Sequence, residues 1–408
     1  MAILIASTFF LTGCAAGGAG SSAVKVGPTM SSSYDKAAVI QKPAARIQKP
    51  KLDIIIPVFD AGLPDDPATY KEKGIWPELR RAEATRFAYK LKLAIEKTGM
   101  FGAVRVMPNQ TATGDLYVIG KINESNGLNV DIDVNVHDIA GKKWFHKSFD
   151  HEVAADFYDN ARNKGKDPYG PVFKQVADKL VEELDDTSSK KLAEIQSITD
   201  LRFAANFSED AFSQYLKVRG SKVSLKGYPS DDDVMLKRVK ALRIRDQLFT
   251  DRMQPHYEQF NQKMADSYAL WQKQSASEVQ AAKTARNATI GKAVAGVGLI
   301  ALSVLSAIAG SQSNSYGGTV AGTTGSIAAG SIGVGMLGES VKMNQESKFH
   351  KDALNELGQS IDGEMAPQVI KFEEKTAELT GNAQEQFAQW RAFLKRMYEQ
   401  QATPDVQL

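Results

Sequence analysis

The sequence predicts an α+β protein. An N-terminal α/β sandwich with a mainly antiparallel sheet is followed by a long-helix hairpin domain with an apolar, glycine-rich tip. Three observations carry this expectation. Between residues 51 and 186, short β-branched runs mix with two amphipathic helical stretches. From residue 187 to 408 the apolar residues recur mostly at helical spacing. Between Lys292 and Glu339 there is no charged side chain, in a chain whose residues are 24% charged.

The chain opens MAILIASTFF, an unbroken run of apolar and small residues. Spanning a bilayer takes roughly 20 residues, so the run is short for that. It is long enough for the apolar core of a secretory signal over residues 1–13. The next residues, Leu11-Thr12-Gly13-Cys14, resemble the bacterial lipobox: a Leu, two small residues and a Cys. The resemblance implies cleavage before Cys14 and attachment of diacylglycerol to its thiol. No Lys or Arg precedes the apolar run, so either the signal is atypical or the true start lies upstream. In enterobacterial lipoproteins an Asp after the Cys retains the protein in the inner membrane. Ala15 and Ala16 stand there instead, which implies the outer membrane, with the body facing the periplasm. Cys14 is the only cysteine, and the competing reading is a free thiol in a cytosolic protein. Residues 14–50, rich in Gly, Ala, Ser and Pro, bury too little surface to offset their ordering entropy, as a lipidated tether should.

The α/β region begins with KLDIIIPVF, a buried strand bounded by Pro50 and Asp60-Ala61-Gly62. Trp76 to Thr98 reads as an amphipathic helix with Leu79, Ala82, Phe87, Leu91, Leu93 and Ala94 near one face and Gly99 as its stop. FGAVRVM and DLYVIGKI are strands. NVDIDVNVHD alternates strictly, placing Val130, Ile132, Val134 and Val136 on one face and Asp131, Asp133, Asn135 and His137 on a solvent face. Lys143 to His151 pairs with it across Ala140-Gly141. Tyr169 to Leu184 is a second helix, with Val172, Val176, Leu180 and Leu184 inward. The predicted order is β-α-β-β-β-β-α.

Within this order, Thr98-Gly99-Met100-Phe101 and Asp115-Leu116-Tyr117-Val118-Ile119-Gly120 resemble the "SG-F" turn and "ADYVV-G-I" strand of one α/β domain. That domain is shared by the curli-secretion lipoprotein and the N-terminal part of TolB. The resemblance covers about a third of the chain and implies an envelope assembly or secretion context. In one respect the chain departs from it: no long lipid-facing strands are evident.

Catalytic chemistry finds little support in the residues. His137, His146 and His151 lie close in sequence beside Asp131, Asp133 and Asp150, but a metal site needs several of them to converge. No GxSxG, phosphate-cradling glycine loop or HExxH occurs. The net charge is +2 without a basic block, which argues against a nucleic-acid partner. No enzyme activity, cofactor or metal is expected.

In the second region, Asp231-Asp232-Asp233 suits a helix start. The helix runs to a break or kink at Pro255, then on through Tyr257, Phe260, Met264, Tyr268 and Trp271 to about Arg286. A second helical stretch is predicted from Glu339 to Gln401, kinked at Pro367, with Phe372, Leu379, Phe387, Trp390, Leu394 and Met397 as its seam. The two pair as an αα-hairpin.

The joining segment, 293–338, has an apolar piece, AVAGVGLIALSVLSAIAG, worth about 27 Å as helix. A hydrocarbon core is about 30 Å. Leu299, Ile300, Leu302, Leu305 and Ile308 would face lipid. After the polar SQSNSYGG, Gly318, Gly322, Ser326 and Gly330 fall every fourth position. They resemble the glycine-zipper segments of some envelope lipoproteins, whose small face permits close backbone approach. Three arrangements fit: a membrane-inserted helical hairpin, a buried helical pair in a soluble assembly, and a flexible glycine-rich loop.

The expected function is a lipid-anchored, outer-membrane structural or assembly component of a secretion or surface-appendage system. It would be homo-oligomeric and would meet lipid through acylated Cys14 and through 293–338. Other envelope assembly proteins are its expected partners. The alternative is a pore-forming or membrane-lytic protein whose apolar hairpin stays sheltered until insertion.

Overall fold

A computed structural model describes residues 49–72, 75–154, 156–290, 368–372 and 375–402. The first part follows the predicted order. β1 (Ile54–Pro57), the short α1 (Thr69–Glu72), α2 (Pro77–Glu96), β2 (Val104–Met107), β3 (Leu116–Ser125), β4 (Asn129–Asp138), β5 (Lys143–Glu152) and α3 (Gly170–Asp186) succeed one another. The sheet order is β2-β1-β3-β4-β5.

That sheet is mixed, where a mainly antiparallel one was expected. β1 pairs parallel with both β2 and β3, while β3–β4 and β4–β5 are antiparallel. The connections explain the difference. Tight turns join β3, β4 and β5, whereas β2 is reached through α2, a crossover that returns the chain in the same direction.

The alternation in β4 is realised: Val130, Ile132, Val134 and Val136 are buried on the face covered by α3. Phe87 of α2 meets Tyr169 and Phe173 edge to face, at 5.9 and 5.2 Å. The inward residues of α3 are Val172, Val176, Leu180 and Leu184, as expected. In α2, however, Leu93 turns outward and Ile95 takes the buried place. The polar set of β4 is half-buried instead of open. His137 stacks on Tyr117 at 5.3 Å, beneath the next layer of helices.

That layer is α4 (Ser189–Ala205), the short α5 (Glu209–Phe212), the hairpin β6 (Leu216–Arg219) and β7 (Lys222–Leu225), and then α6 (Val234–Ile290). β8 (Gln368–Phe372), β9 (Lys375–Leu379) and α7 (Ala383–Ala402) follow. Two strand pairs therefore interrupt a region read as mainly helical. Phe372 and Leu379 belong to β8 and β9, not to a helical seam. Leu379 is buried all the same, and Phe387, Trp390, Leu394 and Met397 are the buried face of α7.

α6 is capped as its sequence suggests: the Leu236 amide donates to Asp233 Oδ1 at 2.8 Å. Its 57 residues make about 85 Å of helix. It runs on through Pro255 as one helix, without the break that a proline there allows. Contacts just before the proline hold the chain against β2. Arg105 of β2 donates to both carboxylate oxygens of Asp251, at 2.6 and 3.1 Å. Gln254 accepts from the Val106 amide at 2.9 Å and donates to the Val106 carbonyl at 3.0 Å. That side chain does for β2 what a neighbouring strand would do, and so covers an edge that would otherwise offer unpaired backbone groups.

α7 lies antiparallel on the first half of α6. Arg238 donates to the Tyr398 carbonyl at 2.7 Å, and Phe249 stacks on Trp390 at 5.0 Å. Buried Asp246 accepts from Trp390 Nε1 at 3.1 Å and Arg391 Nη1 at 2.8 Å. The buried side chains from Leu52 to Tyr398 form one continuous apolar core.

Candidate functional site

The lipid-directed residues named from sequence lie outside the described residues. These are Cys14, the face Leu299, Ile300, Leu302, Leu305 and Ile308, and the small-residue row Gly318, Gly322, Ser326 and Gly330. What the structure describes is the body that lies between them in sequence, and its two ends differ.

One end is marked by the β3–β4 turn. Gly127 there has φ +81° and lies directly against the α6 backbone at Gln272 and Ala276. Ser275 donates to the Asn126 carbonyl at 2.8 Å, and Tyr169, at the start of α3, accepts from the Gly127 amide at 2.6 Å. Lys283 then pairs with Glu152, the last residue of β5, at 2.9 Å. α6 thus leaves the sheet at this end.

Beside this turn α6 is clamped through Glu83, a fully buried carboxylate on α2. It accepts from Ser125 Oγ at 2.5 Å and Tyr268 Oη at 2.7 Å, and Arg80 Nε lies 3.2 Å away. Burial pushes its pKa above the usual carboxylate value, against the pull of Arg80, the two hydroxyls and Arg86. Arg86 lies over the Tyr268 ring at 4.7 Å and donates to Asn261 at 2.6 Å. With every donor coming from packed helix or strand, this cluster works as a joint between α2 and α6.

The other end is marked by the β4–β5 turn, about 33 Å away along the ten residues of β4. Here the β6–β7 hairpin docks tip to tip. The Val223 amide donates to the Ala140 carbonyl at 2.9 Å, and a Cβ on Gly141 (φ +77°) would collide with the Ser221 carbonyl oxygen. The register Lys217↔Ser224 and Arg219↔Lys222 puts those side chains on one face of the hairpin. With Lys142 and Lys191 they line an open cleft of about 320 Å³. Lys191 pairs with Glu194 at 3.1 Å; the other four cations have no acidic partner among the described residues.

The start of the described chain belongs to this end as well. α3 runs from Tyr169, at the first end, to its C-terminus. There Lys49 Nζ donates to the Leu184, Asp185 and Thr187 carbonyls at 3.0, 2.7 and 2.8 Å. α4 begins two residues beyond Thr187, and Lys191 sits in its first turn.

The histidines named as possible ligands do not converge. His146 pairs with Asn135 and His151 with Val130, an odd separation along both strands, so the two point to opposite faces. Among the described residues no group of three or more His, Cys, Asp or Glu is placed to hold a metal ion, and no helix is long and apolar enough to cross a membrane. No known protein family, curated protein or solved structure matches the chain.

Proposed function

We propose that the chain is a lipid-anchored structural component of a bacterial envelope assembly, held in the outer membrane through acylated Cys14. In this reading it is oligomeric, and its apolar segment 293–338 inserts or packs at a contact separate from the anchor. The observation that carries the reading is the polarity of the body. The tether side enters at Lys49, beside the β4–β5 turn, while α6 leads toward 293–338 from the β3–β4 turn at the opposite end of the sheet. A rigid spacer between two lipid- or partner-directed segments suits an assembly component. The domain resemblance points to a secretion or surface-appendage context.

Fractionation of wild type beside Cys14→Ala, with metabolic acyl labelling, tests it. Labelled wild type in outer-membrane fractions, lost on Cys14→Ala, is the expected result. Unlabelled wild type overturns the anchor. A soluble monomer that permeabilises vesicles would establish the pore-forming alternative instead.

A further inference from the structure

We propose that the basic cleft between the β4–β5 turn and the β6–β7 hairpin is a docking surface for the phosphate groups of anionic lipid, which sets the tether end of the body against the membrane. Three observations meet here. First, five cations from three separate stretches of chain line one shallow cleft: Lys142, Lys191, Lys217, Arg219 and Lys222. A lone surface lysine needs no explanation. Four neighbouring cations without acidic partners repel one another, and phosphate oxygens relieve that repulsion. Second, the cleft is open, and four of its cations, Lys142, Lys217, Arg219 and Lys222, are exposed, which suits a sheet of headgroups better than an enclosed small anion. Val218, on the other face of the same hairpin, is 66% exposed, an apolar tip beside a basic face as at a headgroup boundary. Third, Lys49, where the described chain starts, donates to the carbonyl of Thr187, just before the helix whose first turn carries Lys191. An anchored tether would therefore deliver this end to a lipid surface.

The surface is separable from acylation, so it is tested in the full-length chain carrying Cys14→Ala. Flotation would use phosphatidylcholine vesicles with and without phosphatidylglycerol. Each cation that reaches an anionic surface raises affinity about fivefold. The triple variant Lys217→Gln/Arg219→Gln/Lys222→Gln should thus weaken binding to phosphatidylglycerol vesicles about a hundredfold. Raised salt should also weaken binding of the parent chain. A charge-matched control, Lys121→Gln/Lys164→Gln/Lys263→Gln, alters exposed cations elsewhere and should bind as the parent does.

Equal losses in the two triple variants would overturn the proposal, since net charge alone would then act. So would equal binding to vesicles lacking phosphatidylglycerol, the mark of insertion by apolar residues. Tight uptake of inorganic phosphate alone, with vesicle binding unchanged in the cleft variant, would assign the cleft to a small anion. Circular dichroism of each variant excludes unfolding as the cause. Loss of acyl labelling at Cys14 would sink the anchoring proposal and leave this one standing.

Discussion

Two glycines with nearly the same positive φ separate the cost of strain from the cost of displacing α6. Gly127 has φ +81° and Gly165 φ +78°. An alanine at either position adopts a left-handed conformation, at about 1–2 kcal/mol. At Gly165 nothing lies within 4 Å of the added Cβ, so the cost ends there. At Gly127 the Cβ would sit 2.6 Å from the Ala276 amide nitrogen and closer still to the Gln272 carbonyl oxygen. Both are helix backbone, so no side chain can swing aside. Either α6 shifts or the turn detaches. Detachment loses the Ser275–Asn126 and Tyr169–Gly127 hydrogen bonds, worth about 1 kcal/mol each. Strain plus detachment comes to about 3–4 kcal/mol, and strain plus overpacking of about 1–3 kcal/mol to about 2–5, so Gly127→Ala should cost about 2–4 kcal/mol by the cheaper route, against about 1–2 for Gly165→Ala. Denaturant unfolding gives the two costs, and amide exchange reports whether α6 opens around 268–276. Equal costs, with unchanged exchange in α6, would refute the docking of this helix on the β3–β4 turn.

Three further outcomes follow from the same framework. Gln254→Ala removes both side-chain hydrogen bonds to Val106, so it should cost about 1–2 kcal/mol and speed amide exchange at Val106; unchanged exchange would show that the edge is not covered this way. Asp246→Ala leaves Arg391 and the Trp390 indole without their acceptor and should cost about 3 kcal/mol, the low end for a buried pair because Arg391 is partly exposed; Trp390→Phe, which keeps the stack on Phe249, should cost less. Glu83 has a pKa above 4.5 in the fold, so the folded state holds this proton more tightly than the unfolded chain does. Its ionised form therefore costs stability at neutral pH, and that cost fades as pH falls through the raised pKa toward 4.5. Subtracting the pH profile of Glu83→Gln from that of wild type cancels the opposing contributions of His137 and His151, whose pKa values burial lowers. The difference should move in favour of wild type on acidification, and a flat difference would contradict a buried, ionisable Glu83.

Local pattern carried the parts of the fold that local physics determines. Strict alternation in β4, the four-residue spacing of Val172, Val176, Leu180 and Leu184, and the aspartate cap at Asp233 all appear as read. What escaped depends on contacts distant in sequence. The direction of β1 against β2 and β3 leaves no mark on IIIP, whose four residues are all buried. Pro255 reads as a breaker until Arg105 and Val106 are seen gripping the residues before it. β8 and β9 do carry a local signal, the β-branched Val369, Ile370 and Thr376 soon after Pro367, but it is short and sits in a stretch of helical spacing. The basic cleft was legible only in part. LKVRGSKVSL alternates around Gly220-Ser221 and displays three of the cations, while Lys142 and Lys191 join them only through folding.

The polarity of the body also bears on whether one membrane could serve both lipid-directed segments. A coil-like tether, as the composition of residues 15–48 reads, would have a root-mean-square span of about 30 Å. That is close to the length of β4, so the tether alone would let either end of the sheet reach the anchoring membrane. Engagement of the basic cleft would remove this freedom. With the β4–β5 end held against headgroups, the β3–β4 end is carried about 33 Å outward, and α6 leaves the sheet on the far side. Segment 293–338 would then meet a second copy or another envelope component more readily than the anchoring bilayer. Crosslinking from a residue near the end of α6 distinguishes the two arrangements. Protein–protein adducts that disappear in the Lys217→Gln/Arg219→Gln/Lys222→Gln variant are expected if the cleft orients the body. Lipid adducts that persist in that variant would mean that both segments share one membrane and that the cleft does not set the geometry.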